Sequence, residues 1–272
     1  VRGEDGAQAL WIGTDDGGVM RWEQGRLVAL PRLPKASVNA FLQTRDARGQ
    51  RSLWAGTYGF GVARLDGDHW TRFTQKDGLP SDFITDLAEI QETDGTASLW
   101  VCTLRGLAVY RNDRWEILDT RTGLPGNTTH RLLVRRGPEG ATRMWVATGG
   151  YGLFLLDMAG WRKVDRSDGL PDSSIHSVHE FEGDLYAGTA LGLARHHQGR
   201  WDTVLGAERI SAIAATGPPG QKTLWVGSLG GLHRYQGGHW ARTGPCGALP
   251  TGRIASLLAG HGPGGVPWPL RK

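Results

Sequence analysis

The sequence predicts an all-β protein, a β-propeller of about six four-stranded antiparallel blades. Three observations support this prediction. Glycine, at 42 of 272 residues, is about twice as frequent as in an average protein, and tryptophan occurs 12 times. A tryptophan-containing pattern recurs with a period near 43 residues. Short segments that alternate apolar and polar residues are common, whereas no segment carries the apolar stripe of a helix over three turns.

We label the four strands of each unit A to D. Strand B carries the clearest pattern, an apolar, an aromatic and a small residue in succession. Its instances are LWIGT at 10–14, LWAGT at 53–57, LWVCT at 99–103, MWVAT at 144–148, LYAGT at 185–189 and LWVGS at 224–228. The aromatic residues are separated by 43, 46, 45, 41 and 39 positions. A period of this length is typical of stacked supersecondary units.

Strands C and D follow in each unit. Strand C begins at a Gly-Leu or Gly-Val pair, whose glycines are Gly18, Gly61, Gly106, Gly152, Gly192 and Gly231. Strand D carries a second tryptophan, 15 or 16 residues after the first aromatic residue, at Trp70, Trp115, Trp161, Trp201 and Trp240; the first unit has Leu27 there. In the second unit we therefore expect strands B, C and D at 53–57, 62–65 and 69–73.

Strand A follows a Leu-Pro pair and begins with a β-branched residue four positions after the proline. The instances are LPKASVNAF at 33–41, LPSDFITDL at 79–87, LPGNTTHRL at 124–132, LPDSSIHSV at 170–178 and LPTGRIASL at 249–257. One unit lacks Leu-Pro but keeps Ile210 and Ile213. In the second unit strand A is expected at 38–44.

A single four-stranded sheet has two faces to bury, and a ring of such sheets buries each face against a neighbour. A propeller is therefore favoured over other repeat folds. The WD40 repeat has a similar period, but its signatures are missing, and kelch repeats of about 50 residues are too long. Helical repeats are disfavoured because glycine recurs every few residues.

Residues 1–259 are expected to form the propeller and 260–272 an irregular tail. Trp268 lies 43 residues after Trp225, where a seventh repeat would begin, so we interpret the chain as a fragment of a propeller with seven or more blades. The first unit lacks its own strand A. Residues 254–258 could complete that blade and close a six-bladed ring; the alternative is an open arc.

The charge distribution and the hydropathy of the chain argue against a nucleic-acid-binding protein and against a membrane-spanning segment. The net charge is +4, and basic residues are spread along the chain, whereas a nucleic-acid-binding surface normally shows clustered basic residues. The sequence contains no stretch of about 18 apolar residues, so no membrane helix is predicted, and the N-terminus lacks the apolar core of a signal peptide. Cys102 and Cys246 lie in dissimilar contexts and are interpreted as two inert thiols, which do not indicate a redox compartment.

The loops that join strands B to C and D to A leave each blade at the same end, which is the end where a ligand is expected. The B–C loops supply Asp15, Asp16, Tyr58, Phe60, Arg105, Tyr151, Leu191 and Leu229, and the D–A loops add Asp82, Asn127 and Asp172. The second position of strand A, expected to line the central channel, holds Asn39, Thr85, His130, His176, Ser211 and Ala255.

From these sets we select eight candidate ligand-binding residues: Tyr58, Asp82, Arg105, Asn127, His130, Tyr151, Asp172 and His176. Tyr, Arg, Asp and His together suit a polar or anionic small molecule, because the arginine fork can hold a carboxylate and tyrosine can stack on a sugar. The alternative is that these are ordinary solvated loops whose residues were selected for turn geometry.

No cofactor, metal site or catalytic group is predicted. His196 and His197 are adjacent in a strand, so their side chains point to opposite faces and cannot share an ion. A propeller lyase or glycosidase would need a general base or a carboxylate pair. Asp82, Asp86, Asp172 and His176 are available, but they form no recognisable catalytic arrangement in the sequence. A protein-interaction scaffold is a third alternative.

The six units resemble the two-component regulator propeller repeat, whose pattern is LWxGT, Gly-Leu, a trailing Trp or Phe, Gly-Leu-Pro and Ile-x-x-Leu. The resemblance spans essentially the whole chain. It implies a periplasmic sensor module of a histidine kinase, a hybrid two-component system or a diguanylate cyclase. The expected partners are a small-molecule ligand, often a carbohydrate in hybrid systems, and the output domain of a membrane-anchored parent protein.

Overall fold

The computed structural model describes residues 10–14, 18–23, 26–29, 37–45, 51–67, 69–92, 96–124, 126–136, 142–217 and 221–243. These residues form β-strands joined by turns, together with two short 3-10 helices. The strands make one three-stranded and five four-stranded sheets, and in each sheet strands that are consecutive in sequence lie side by side. The predicted all-β fold with four-stranded meander blades is confirmed.

Blades 1 to 3 contain the first eleven strands. Blade 1 consists of β1 (Leu10–Thr14), β2 (Gly18–Glu23) and β3 (Arg26–Ala29); blade 2 of β4 (Val38–Arg45), β5 (Arg51–Thr57), β6 (Val62–Asp66) and β7 (His69–Phe73); blade 3 of β8 (Ile84–Gln91), β9 (Ala97–Thr103), β10 (Gly106–Arg111) and β11 (Arg114–Leu118). In each four-stranded blade the strands are A, B, C and D in chain order. The described part of blade 1 comprises strands B, C and D.

Blades 4 to 6 continue the pattern. Blade 4 consists of β12 (Thr129–Arg136), β13 (Thr142–Thr148), β14 (Leu153–Asp157) and β15 (Gly160–Val164); blade 5 of β16 (Ile175–Phe181), β17 (Asp184–Thr189), β18 (Gly192–His197) and β19 (Arg200–Gly206); blade 6 of β20 (Ile210–Thr216), β21 (Thr223–Ser228), β22 (Gly231–Gln236) and β23 (His239–Thr243). The Leu-Pro segment at 249–257, the proposed closing strand at 254–258 and the tail at 260–272 lie outside the described residues.

The fold divides into two compact units. The first comprises the described residues within Val1–Val146 and Leu156–Trp161, and the second those within Ala147–Leu155 and Arg162–Lys272. Blades 1, 2 and 3 belong to the first unit and blades 5 and 6 to the second. No helix among the described residues is long and apolar enough to cross a bilayer.

Strand A of blades 2, 3, 5 and 6 carries a β-bulge at the same place. The pairing of strand A with strand B shifts between the first and third residues of strand A, at Val38/Ala40, Ile84/Asp86, Ile175/Ser177 and Ile210/Ala212. The second residue is therefore left without a cross-strand partner. These residues are Asn39, Thr85, His176 and Ser211, four of the positions predicted to line a channel.

Aromatic side chains pack within blades and between neighbouring blades. In the first unit Trp54 of blade 2 contacts Tyr110 of blade 3, with ring centroids 5.5 Å apart, and Tyr110 contacts Trp115 at 4.8 Å. In the second unit Phe181 of blade 5 contacts Tyr235 of blade 6 at 6.2 Å, and Tyr235 contacts Trp240 at 4.9 Å. Aromatic side chains thus pack both between neighbouring strands of one sheet and between neighbouring sheets.

The Thr and Gly of the repeat close the B–C loops. The Thr57 hydroxyl donates to the carbonyl oxygen of Gly61 at 2.6 Å, and Thr148 makes the same bond to Gly152. Gly61 has a φ of +78°, and a Cβ there would overlap the carbonyl oxygen of Phe73 at the end of strand D. This position of the loop therefore requires glycine.

The Gly-Leu-Pro segment follows a 3-10 helix in blades 2 and 4, which the sequence analysis did not predict. The helices span Gln75–Asp77 and Arg166–Asp168. Each has a capping box, made by Thr74 with Asp77 and by Asp165 with Asp168, and each ends at a glycine in the left-handed conformation. In the sequence, each helix is indicated by a Thr or Asp that is followed three positions later by Asp-Gly.

Candidate functional site

The B–C and D–A loops leave each blade at the same end, because strands B and D run in the same direction. We call this the loop end of a blade. Six of the nine exposed large apolar side chains among the described residues lie at loop ends: Tyr58, Phe60, Phe83, Tyr151, Leu191 and Leu229. The other three are Val28, Ile117 and Met158. Exposed apolar surface is therefore concentrated where the sequence predicts ligand binding.

Tyr58 and Phe83 form an exposed aromatic pair at the loop ends of blades 2 and 3. Their rings meet edge to face, with centroids 4.7 Å apart, although Tyr58 is 49% and Phe83 40% exposed. Their backbones pair in an isolated β-bridge. Phe83 was missed as a candidate. The signal was an aromatic residue directly before strand A, where blades 2 and 5 have Ser37 and Ser174.

Phe60 and Arg72 form a second contact at the loop end of blade 2. The Arg72 guanidinium lies 5.3 Å from the centroid of the Phe60 ring, and its Nε donates to the Phe60 carbonyl oxygen at 2.7 Å. Phe60 is 40% exposed. Because Phe60 is fixed by both contacts, its ring is held at the surface without being buried.

The predicted residues of the D–A loops shape those loops. Asp82 Oδ1 accepts the backbone N–H of Gln75 at 2.8 Å, and Asn127 Oδ1 accepts that of Thr120 at 2.9 Å. Asp172 Oδ1 accepts the backbone N–H of Ser174 at 2.8 Å. Each of these side chains therefore makes a hydrogen bond that shapes a turn, which agrees with the alternative that the loop residues serve turn geometry. Each is half-buried.

The loop of blade 2 also bonds to the loop that leads into blade 3. The backbone N–H groups of Gly59 and Gly61 donate to the Asp82 carbonyl oxygen at 3.0 and 2.9 Å. In blade 3, the Leu104 N–H donates to the Phe83 carbonyl oxygen at 3.2 Å. The next residue in the chain is the exposed Arg105. The first unit therefore brings Tyr58, Asp82 and Arg105 into one set of connected loops.

In the second unit Tyr151 occupies the position that Phe60 has in blade 2, and it is 49% exposed. The Gly152 N–H donates to the Ser173 carbonyl oxygen at 2.7 Å, and Gly149 forms a β-bridge with Ser174. These bonds connect the B–C loop containing Tyr151 with the D–A loop containing Asp172. His176 lies two residues further along, at the strand A bulge.

The bulge positions of the first unit join neighbouring blades. Asn39 Nδ2 donates to the Ile84 carbonyl oxygen at 2.9 Å, and Thr85 Oγ1 donates to the Thr129 carbonyl oxygen at 2.8 Å. His130, the next residue in this series, is half-buried on β12. At Asn39 and Thr85 the polar side chain, which was predicted to face a channel, bonds to the next strand A.

Asp86 lies one residue after the bulge of blade 3 and is bound to blade 4. Its Oδ1 pairs with Arg131 Nη1 at 3.2 Å and its Oδ2 accepts the Leu132 N–H at 2.8 Å. Burial raises the pKa of Asp86, against the opposing effects of Arg131 and the Leu132 N–H. Burial also raises the pKa of the neighbouring Cys102 thiol. Because both carboxylate oxygens are bonded, Asp86 is poorly suited to act as a general base.

A Ser, His and Glu meet at the loop end of blade 6. Ser228 Oγ donates to Glu208 Oε2 at 2.5 Å, and His233 Nε2 lies 3.3 Å from Ser228 Oγ and 3.4 Å from the same Glu208 oxygen. A catalytic triad needs the acid on the other ring nitrogen, Nδ1. The Ser228 hydrogen bond holds the pKa of Glu208 below its usual value. This arrangement closes the B–C loop and is not a triad.

The adjacent histidines of blade 5 have different surroundings. The His196 ring packs against Trp201 in a tilted arrangement with centroids 5.0 Å apart, whereas His197 Nδ1 lies 2.7 Å from Asp184 Oδ1. Within the described part of the chain, no group of three or more His, Cys, Asp or Glu side chains is placed to hold a metal ion. Asp15, Asp16 and Ala255 lie outside the described residues.

Solved structures share this fold. The extracellular domain of BT3049 from B. thetaiotaomicron, described as a hybrid two component system, matches with a TM-score of 0.71 at 20% identity, over 97% of this chain and 36% of that one. The extracellular domain of BT4673, described as a one component system of the same organism, gives a TM-score of 0.62 at 20% identity, over 85% and 29%. An ancestral GH74 enzyme gives 0.59 at 16% identity, over 82% and 33%.

The chain thus spans about a third of the length of these neighbours. No protein-family model matches the chain, and a search of curated protein sequences gives no match. At these identities the structural similarity demonstrates a common fold. It confirms the propeller architecture that the resemblance to two-component regulator propeller repeats implies.

Proposed function

We propose that this chain is a ligand-sensing propeller module of a bacterial two-component or cyclic-dinucleotide signalling receptor. It binds a small polar ligand, such as a carbohydrate, at the loop ends of its blades. The observation that carries the proposal is the concentration of exposed aromatic and apolar side chains at those ends, among them Tyr58, Phe60, Phe83 and Tyr151. Three of these side chains, Tyr58, Phe60 and Phe83, lie in the connected loops of blades 2 and 3. Exposed apolar patches of this kind typically mark binding sites.

The geometry of the loops supports binding by a preformed surface. Thr57 and Gly61 close the B–C loop of blade 2, and the Asp82 carbonyl oxygen joins that loop to blade 3. The 3-10 helix before Asp82 is capped at both ends. Loops held by hydrogen bonds lose little conformational entropy when a ligand binds, which favours affinity.

The solved neighbours support the setting of the proposal. BT3049 and BT4673 are described as extracellular domains of signalling systems. By analogy, we place this module outside the cytoplasm, in the periplasm, with an output domain and a membrane anchor belonging to its parent protein. In this proposal the module itself is not an enzyme and uses no cofactor, and nucleic acid is not a partner.

A protein-interaction scaffold is the second candidate. Leu191 and Leu229, at the loop ends of blades 5 and 6, are each 52% exposed, and aliphatic side chains of this kind suit a protein surface better than a sugar. A propeller glycosidase has less support. The GH74 neighbour shares the fold, but the available carboxylates Asp82, Asp86 and Asp172 all accept backbone hydrogen bonds.

A thermal-shift screen tests the sensing proposal. The purified chain is heated with each member of a panel of sugars and organic acids, and a ligand at about 100 times its Kd should stabilise the folded state by about 2.7 kcal/mol. Tyr58→Ala and Tyr151→Ala should reduce the shift, whereas Met158→Ala, at an exposed residue outside the loop ends, should not. If no compound raises the melting temperature, or if Met158→Ala has the same effect as the tyrosine variants, the proposal is wrong.

A further inference from the structure

We propose that the loop ends of blades 2 and 3 form a subsite specific for a carboxylate attached to a ring. In this subsite Arg72 and Arg105 pair with the carboxylate, and the ring packs on Tyr58, Phe60 and Phe83. The inference rests on the proposed function, because it specifies the ligand that this end of the molecule binds. Neither Arg72 nor Phe83 is distinguished by the repeat pattern.

Arg72 is the first basis for this subsite. Its guanidinium is exposed and is oriented by two contacts, the Nε hydrogen bond to the Phe60 carbonyl oxygen and the stacking over the Phe60 ring. The hydrogen bond engages only one of the five N–H groups of the side chain. A fixed guanidinium with unused donors is well suited to bidentate binding of a carboxylate.

Arg72 also differs in its ion pairing from three other arginines of the first unit. Arg64 pairs with Asp66 at 2.6 Å, Arg111 with Glu92 at 2.9 Å and Arg131 with Asp86 at 3.2 Å. Within the described residues Arg72 and Arg105 have no acidic partner at ion-pair distance. Two exposed, unpaired guanidinium groups beside connected loops favour an external anion.

Asp82 is the acidic side chain nearest in sequence to these aromatic residues, and it does not cancel the positive charge. Its Oδ1 accepts the Gln75 N–H at 2.8 Å, so the carboxylate is partly used within the D–A loop. Of the other carboxylates at these loop ends, Asp77 caps the 3-10 helix and Asp119 pairs with Arg121. Asp82 Oδ2, which makes no hydrogen bond among the described contacts, can accept a hydroxyl group of the ligand.

The aromatic residues supply the surface for the ring. Tyr58 and Phe83 meet edge to face and are about half exposed, and Gly59 lies between Tyr58 and Phe60 without a side chain to cover Phe83. Such a surface can hold either an aromatic ring or the apolar face of a sugar ring. The shared ligand chemistry is therefore a ring with a carboxylate, found in aromatic acids and in acidic sugars.

Isothermal titration calorimetry of the 272-residue chain tests the subsite. The probes are benzoate and galacturonate, each compared with a neutral counterpart, benzyl alcohol or galactose. We expect at least one acid to bind about tenfold more tightly than its neutral counterpart, since a charged hydrogen bond contributes about 1.5–3 kcal/mol. Binding should weaken as the salt concentration rises. The acid that binds identifies the class of ligand.

Variants separate the arginines from a general charge effect. Arg72→Met keeps an apolar stem beside Phe60 but removes the charge, and it should weaken binding of the acid about tenfold, as should Arg105→Met. Arg114→Met is the matched control, because Arg114 is exposed at the hairpin between strands C and D of blade 3, away from the loop end. Circular dichroism checks that each variant is folded.

Three results would overturn the subsite: neither acid binds, each acid binds no better than its neutral counterpart, or Arg72→Met and Arg105→Met bind as the parent chain does. If a neutral compound gives a thermal shift that Tyr58→Ala reduces, the sensing function stands while the carboxylate subsite is wrong. If no compound of any kind shifts the melting temperature, both are wrong.

Discussion

Asn39 Nδ2 lies 2.9 Å from the carbonyl oxygen of Ile84 and so connects strand A of blade 2 to strand A of blade 3. Thr85, at the same position of blade 3, repeats the bond to Thr129 of blade 4 at 2.8 Å. Both donors are bulge residues. The bulge frees a side chain from the pairing of its own sheet, and the side chain then bonds to the neighbouring sheet.

The bond from Thr85 should contribute to stability. Thr85→Val keeps the shape and the β-branch but removes the hydroxyl, and we expect it to lower the free energy of unfolding by about 1 kcal/mol. Urea denaturation measures the loss. Thr203→Val, at an exposed threonine of β19, is the control and should change stability by less than about 0.5 kcal/mol. Equal effects at the two sites would show that the Thr85 bond is not stabilising.

Asp86 should make stability depend on pH in an unusual direction. Burial raises its pKa in the folded state, so the folded protein binds a proton more tightly there than the unfolded chain does. This contribution to stability is fully present below the unfolded pKa of about 3.9 and is lost as the pH rises through the folded value. Relative to Asp86→Asn, which cannot titrate, the parent chain should therefore gain stability as the pH falls.

Urea denaturation of both proteins at several pH values between 7 and 4 gives this difference. The groups that face the carboxylate are Arg131, the N–H groups of Leu87 and Leu132, and the Cys102 thiol. The asparagine variant retains all four. If the parent chain instead loses stability relative to Asp86→Asn on acidification, the attraction of Arg131 outweighs burial and the pKa of Asp86 is lowered.

Two glycines test the geometry of the turns. Gly61 and Gly67 both have a positive φ, of +78° and +60°, but only at Gly61 would a Cβ meet another atom, the Phe73 carbonyl oxygen. We expect Gly67→Ala to cost about 1–2 kcal/mol from backbone strain alone and Gly61→Ala to cost distinctly more. Melting temperatures of the two variants give the comparison. A smaller loss at Gly61 would mean that the B–C loop can shift to accommodate the methyl group.

The rings of Tyr58 and Phe83 should be coupled energetically. A double-mutant cycle with Tyr58→Ala and Phe83→Ala is expected to give an interaction energy of about 0.5–1.5 kcal/mol. Urea denaturation of the four proteins provides the values. Strictly additive losses would show that the two rings, although 4.7 Å apart, do not stabilise each other.

The sequence predicted the strands well because each has its own local signal. In blade 2 the expected segments 53–57 and 69–73 agree with β5 and β7 within two residues. Part of the candidate site was predicted for the same reason, since Tyr58 and Arg105 lie in loops that the repeat defines. Phe83 and Arg72 were not selected because they stand out only through their contacts with Tyr58 and Phe60, which no spacing along the chain reveals.

By itself the sequence determined the order of the strands within a blade, the end of each blade at which the loops lie, and the positions that favour glycine and an aromatic residue. These properties recur from unit to unit, because each depends on residues that lie close together in the chain. The tertiary structure decided how polar side chains are used. Asn39 and Thr85 bond to the next blade, Asp86 is paired with Arg131, and Arg72 is left with an unpaired charge, because each outcome depends on which side chains neighbouring blades bring within hydrogen-bond distance.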